Sequence, residues 1–155
     1  MFKRLPMILS ALIVMGSTVM SHSQTTAERT AAKDAIWTKE LAIYKARAET
    51  GLDYYIANAS PNYIGWPPGI PAPSSLSQLK ENQNRITIPN AENLQLFFDN
   101  LAMHGNTAVI YYNTHRTMLP NGTAVDQRYH ICHVWIKDED GDWKIMGAMG
   151  RLESE

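Results

Sequence analysis

The chain has 155 residues, a formal net charge of −1 and an apolar share of 45%. That length suits one domain, and a chain of this size buries about two-thirds of its unfolded surface, enough for a real core. With 14 basic residues against 15 acidic ones and no basic run, it lacks the electrostatic footprint of a nucleic-acid binder.

The first segment reads as an address rather than as fold. Met1-Phe2-Lys3-Arg4 is a short basic head, followed by an uncharged apolar run from Met7 to Met20. Ser21-His22-Ser23 places small residues where a signal peptidase reads them, with Gln24 as the new N-terminus. The run is short of the ~20 apolar residues a membrane span needs. The expected organisation is therefore a secretory signal peptide over 1–23 and a single domain over 24–155. The expected destination is secreted or periplasmic, with no membrane attachment once the signal is removed. Losing Lys3 and Arg4 takes the net charge from −1 to −3. Cys132 is the only cysteine; it cannot form an intramolecular disulfide, and reads as a small buried hydrophobe.

Helical spacing begins at Thr26 and stops at Gly51. Trp37, Leu41, Tyr44 and Ala48 form an apolar stripe, flanked by Ile36 and Ile43. Glu40 falls between these sets. It reads as a boundary carboxylate paired with Lys33 or Arg47, with a pocket carboxylate as the alternative. Leu52 to Ala59 predicts a second, short helix stopped by Ser60-Pro61, and Asn62 to Trp66 a short strand. Pro67 to Ser75 holds four prolines and a glycine and predicts an irregular rim loop. Ser75 to Asn84 predicts a short polar helix.

From there the period changes to two. Glu92–Met103, Thr107–Met118, Val125–Lys137 and Trp143–Leu152 read as strands separated by turn residues, including Asn121-Gly122 and Asp140-Gly141. Helices first and an antiparallel meander after them is an α+β layout.

Hairpin turns set register, and register decides which side chains share a face. Tips at Asn121-Gly122 and Asp140-Gly141 pair Ile110 with His133, Tyr112 with Ile131, Thr114 with Tyr129, His133 with Ala148 and Trp135 with Met146. One face then carries Ile110, Tyr112, Thr114, Tyr129, Ile131, His133, Trp135, Met146 and Ala148. The other carries Val109, Tyr111, Asn113, His115, Arg128, His130, Cys132, Val134 and Met149. His130 and Cys132 thus point away from His133, so the three cannot close on one ion, and no second ligand pair completes a metal site. The second face has enough apolar area for a homodimer, or for an ordinary half-solvated sheet face.

The long helix, the YIANASPNYIGWPPG segment, the GNTAVIYYNTH strand and the closing HVWIKDEDGDWKIMGAMG hairpin resemble the SnoaL-like branch of the nuclear transport factor 2-like superfamily. The resemblance covers most of Thr26 to Leu152. It implies a cone: a strongly curved antiparallel sheet wrapped around about three helices, with a pocket inside. In the ketosteroid-isomerase-like members a carboxylate base precedes a proline after the second helix. The matching position is Trp66 before Pro67, and tryptophan cannot abstract a proton. The position of their oxyanion-stabilising acid matches His133, with Trp135 after it, while Met146 and Ala148 match inward positions of the last strand.

Three functions remain open. The first is a small-molecule binder with walls from Trp37, Tyr44, Trp66, Ile110, Tyr112, Tyr129, Ile131, Trp135, Met146 and Ala148. The second is an isomerase-, cyclase- or dehydratase-type enzyme using His133 for acid/base work, with Tyr112 or Tyr44 fixing its tautomer and Glu40 or Asp53 as the nearest acid. The third is a protein-interaction module with a filled core. No cofactor is implied, and the ligand is not named by any motif.

Overall fold

The computed structural model describes residues 24–83 and 90–153. The predicted leader over 1–23 lies outside them. Helix α1 runs Thr26–Thr50, and its start is capped reciprocally: Thr25 accepts from the Glu28 backbone N–H while the Glu28 carboxylate takes the Thr25 N–H. Gly51 ends it at φ 64°, a left-handed position that other residues adopt at a cost. Helix α2 is Asp53–Ala57 and strand β1 is Ala59–Trp66, so the chain is already extended at Ser60-Pro61. A two-residue strand β2, Ser74–Ser75, leads into α3, Leu76–Glu81, where Ser75 and Gln78 form a second capping box. The predicted end of α3 at Asn84 lies outside the described residues. Strands β3 (Asn93–His104), β4 (Thr107–Met118), β5 (Ala124–Lys137) and β6 (Trp143–Leu152) complete the chain.

The six strands form one sheet in the order β2-β1-β6-β5-β4-β3. The meander β3 to β6 is antiparallel, as expected, but β1 joins the edge of β6 in parallel. The sheet is therefore mixed. Returning through α1 and α2 places β1 beside the last strand, a pairing of residues some eighty positions apart that no hairpin turn announces. Tight turns at Gly122 and Gly141 set the hairpins, with Gly122 N–H donating to Leu119 and Gly141 N–H to Asp138.

Among the register shifts of the sheet, two lie within the long meander strands. Asp99 is the extra residue between Phe98↔Tyr112 and Asn100↔Tyr111, and Met146 is the extra residue between Trp135↔Ile145 and Val134↔Gly147. The second corrects the expected Trp135–Met146 pair: Ile145, fully buried, takes the inward place, and Met146 does not line the interior. The other expected pairs hold, including Ile110↔His133, Tyr112↔Ile131, Thr114↔Tyr129 and His133↔Ala148.

The core sits between the concave sheet face and α1, around Ile36, Ile43, Ile110, Tyr112, Trp135 and Ile145. The buried side of α1 is Ala32, Ile36, Glu40 and Ile43. This rotates the helix relative to the predicted stripe: Leu41 is 45% exposed and Ala48 is exposed, while Trp37 and Tyr44 flank the core. The rotation follows from what Glu40 meets inside. Lys39, next to it, ties α1 to the β5–β6 turn through Asp142 at 2.7 Å, the Trp143 carbonyl and Asn58.

A cavity over a buried glutamate–histidine pair

At the heart of the sheet, His133 on β5 and Tyr112 on β4 point at α1. Both are inward by strand parity, and both are buried, at 5% and 2% exposure. Facing them is Glu40, which is fully buried. Its Oε1 lies 2.8 Å from His133 Nδ1 and accepts from Trp135 Nε1 at 2.9 Å; its Oε2 accepts from the Tyr112 hydroxyl at 2.9 Å. A carboxylate can be buried only when its lone pairs are met, and here three donors meet them. The expected pairing of Glu40 with Lys33 or Arg47 is therefore corrected. Lys33 stacks over Phe98, and Arg47 reaches Glu92.

The hydrogen-bond network also assigns the histidine's proton. Both Glu40 oxygens already receive hydrogens from Trp135 and Tyr112, so Nδ1 donates, and in the neutral ring the lone pair is then on Nε2. Among the described residues Nε2 has no hydrogen-bond partner. The tautomer is thus held by Glu40; Tyr112, expected in that role, stands farther off at 3.4 Å from Nδ1. Tyr112 in turn meets the Tyr44 hydroxyl at 3.1 Å. Burial, followed by the neighbouring Tyr44 and Glu40, pushes the Tyr112 hydroxyl well above its ordinary range, and burial first, then Glu40, pushes Tyr44 up to about 12. Both remain protonated donors at any physiological pH.

His133 forms part of the wall of a cavity of about 390 Å³ that opens between α1, α3 and the sheet. Ile43, Tyr44, Leu52, Leu79, Leu94, Ile131, Ala148 and Met149 supply apolar wall, and Pro67, Pro68 and Ile70 come from the loop after β1. Tyr55 and Tyr63 line it beside the histidine, and Tyr55 stands edge-on to His133 with ring centres 6.1 Å apart. The Tyr55 hydroxyl donates to Tyr63 at 3.0 Å, which leaves the Tyr63 proton available to the cavity. Tyr129 and Thr114 complete the sheet side, and Arg47 and Arg116 stand together toward the β4–β5 end.

Of the expected wall residues, Tyr44, Tyr129, Ile131 and Ala148 line this cavity together with His133. Trp37, Ile110, Tyr112 and Trp135 do not; they form the packed core below it, with Trp37 edge-on to Phe98 and Tyr112. Trp66 is corrected more sharply. It points to the convex side with Ile64, is 45% exposed, and bonds the Ile70 carbonyl through Nε1 at 2.7 Å. In β1 the buried positions are Ser60, Tyr63 and Gly65, so the strand presents Tyr63 inward and Trp66 outward. Tyr63, Tyr55, Arg47 and Arg116 went unremarked as site residues in the sequence, although Arg116 continues the inward run Ile110-Tyr112-Thr114 and Arg47 lies one helical turn beyond Ile43.

No family model and no curated protein matches the chain. Solved structures do. A proposed dehydratase of the nuclear transport factor 2-like family from Streptomyces avermitilis superposes with a TM-score of 0.68 at 16% identity, covering 82% of this chain and 99% of that one. A ketosteroid isomerase-like protein from Erwinia carotovora atroseptica gives 0.65 at 16% identity, covering 79% and 96%. The CaMKII hub of S. rosetta gives 0.63 at 22% identity, covering 77% and 95%. The chain has the nuclear transport factor 2-like fold.

Proposed function

We propose that this chain is an exported small-molecule-binding domain whose ligand enters the cavity and is oriented by His133. The observation that carries this reading is a hydrogen-bonding ring nitrogen without a protein partner among the described residues, set in the wall of a largely apolar cavity, with a buried carboxylate holding the other ring nitrogen. A histidine present for packing alone has no need of such a cavity beside it.

Acid/base catalysis is the second reading, and Glu40 favours it. A carboxylate behind Nδ1 stabilises the imidazolium formed when Nε2 accepts a proton, and the Tyr63 hydroxyl can donate to a ligand oxygen nearby. The solved neighbours that carry isomerase-like and dehydratase descriptions support this reading as analogy only.

Native mass spectrometry of the exported protein tests the first reading through a co-purified small molecule. His133→Gln tests the histidine: it keeps volume and hydrogen-bonding capacity, so a packing role tolerates it. Binding or turnover unchanged by that substitution removes His133 from the function. Export itself is tested by fractionating the source cells, where mature protein beginning at or near Gln24 is expected outside the cytoplasm. The convex face exposes Ile64, Trp66, Phe97, Tyr111 and Met149, an apolar surface suited to a homodimer. Light scattering at micromolar concentration reads that state, and a clean monomer rejects it.

A further inference from the structure

Among the described residues, the two formally charged side chains in the cavity wall are both arginines. Arg116 on β4 and Arg47 on α1 converge on one carboxylate, Glu92, whose side chain is 6% exposed: Arg116 Nη2 stands 2.9 Å from Oε1 and Arg47 Nη2 3.4 Å from Oε2. Among the described residues, two guanidiniums against one carboxylate leave one positive charge uncompensated at the cavity wall. Much of their hydrogen-bonding capacity is also unspent. The Nε–H of each is buried without a partner among the described residues, and the contact of Arg116 with Glu92 is an ion pair off the N–H direction rather than an aligned hydrogen bond. Glu92 Oε1 is likewise buried without an aligned donor, and neither Nε–H is open to the cavity, so an acceptor from outside would meet the two guanidiniums through their outer Nη groups. Both guanidiniums also lie against tyrosine rings that line the cavity, Arg47 against Tyr44 at 5.4 Å and Arg116 against Tyr129 at 5.3 Å, which holds them in place.

We infer that the cavity takes an amphipathic monocarboxylate, its carboxylate on Arg47 and Arg116 and its apolar body running toward His133. The planar fork of a guanidinium matches a carboxylate, and one uncompensated charge matches one negative head rather than a doubly charged phosphate ester. The wall between the arginines and the histidine is mostly apolar, with Ile43, Ile131 and Tyr44 along it and Thr114 and Tyr129 on the sheet side. Glu40 and Arg47 are seven residues apart on α1, a rise of roughly 10 Å. That is the span the body must fill. The inference rests on the cavity-binding reading and adds the ligand's charge and length.

Decanoate and its uncharged counterpart decanol are suitable probes by calorimetry, with the neutral dye Nile red reporting on the cavity independently of charge. Decanoate is expected to bind at least about tenfold more tightly than decanol, the scale of a charge-assisted hydrogen bond. Arg116→Gln and Arg47→Gln should remove that preference while Nile red binding persists. Because either change leaves Glu92 with one partner and can cost stability, Glu92→Gln provides a test of opposite sign: it frees both arginines and should tighten decanoate several-fold. Equal binding of decanoate and decanol, with Nile red bound, overturns the carboxylate assignment and leaves the cavity reading standing. An unchanged or weaker decanoate affinity in Glu92→Gln also overturns the assignment. Failure of both Nile red and decanoate to bind overturns the two together.

Discussion

His133 Nδ1 and Glu40 Oε1 lie 2.8 Å apart although 93 residues separate them in the chain. The contact joins the middle of the long helix to the middle of the sheet, and it explains both the rotation of α1 and the single tautomer of the histidine. Glu40→Gln tests it. The substitution keeps size but replaces one acceptor oxygen with a donor, opposite a set of groups that includes the donor-only Trp135 Nε1. An unfolding penalty of about 2–4 kcal/mol is expected from a mispaired buried polar group. Urea denaturation measures it, and a loss below about 1 kcal/mol would show that the carboxylate is not what holds these donors.

This pair also marks where the sequence stops being legible. The face of His133 followed from two glycine turns, since a hairpin tip sets every pair behind it, and Ile110↔His133 and Tyr112↔Ile131 stand where the turns put them. Glu40 was ambiguous because a helical wheel weighs apolarity alone. What makes a buried glutamate tolerable is the arrival of Tyr112, His133 and Trp135 from β4 and β5, which a local pattern does not contain. Met146 is displaced for a related reason: a bulge shifts register by one residue, and Gly147, although glycine in a strand often marks a bulge, does not by its type say that the extra residue is Met146. Trp66 faces outward because parity along β1 runs from Tyr63, which faces inward, and the prolines after Trp66 carry no information on parity.

Trp66 on the convex side leads to a plain expectation. Trp66→Ala removes one hydrogen bond to the Ile70 carbonyl and some exposed ring surface, so the stability cost should stay near 1 kcal/mol. Nile red affinity for the cavity should remain within about threefold, as for independent sites. A tenfold loss of dye binding with folding intact would return Trp66 to the cavity wall.

Acid sensitivity has a local source in the β5–β6 turn. The hydrogen bond from Lys39, reinforced by Lys144, lowers the Asp142 carboxyl from 3.8 to about 2. A depressed folded-state value means that its stabilisation is complete above the unfolded value near 3.8 and fades as pH falls toward 2. Asp142 is 44% exposed, so solvent screening keeps the contribution modest. Urea midpoints of the wild type and Asp142→Asn should differ at pH 5 and converge by about pH 2. A gap that persists undiminished at pH 2 would mean that the substitution acts through the turn backbone instead.

Two glycines on β6 separate cavity shape from general strand tolerance. A Cβ on Gly150 would stand 2.9 Å from Ile131 Cδ1 and 3.0 Å from Pro68 Cδ and Cγ, and both neighbours line the cavity. The first contact is closer than a Cβ tolerates and the other two are tight, so the end of the Ile131 side chain must move and Pro68 must give by a few tenths of an ångström, which alters the wall they form. Gly147 lies on the same strand, but a Cβ there would meet Ile64 and Val134 at 3.6 Å, an ordinary distance. Gly150→Ala is therefore expected to cost about 1–2 kcal/mol by overpacking and to weaken Nile red binding beyond what unfolding accounts for. Gly147→Ala should leave dye affinity at the wild-type value. Dye titrations on the folded fraction of each variant distinguish these outcomes. If Gly150→Ala binds as the wild type does, the loop carrying Pro68 yields freely and does not shape the cavity.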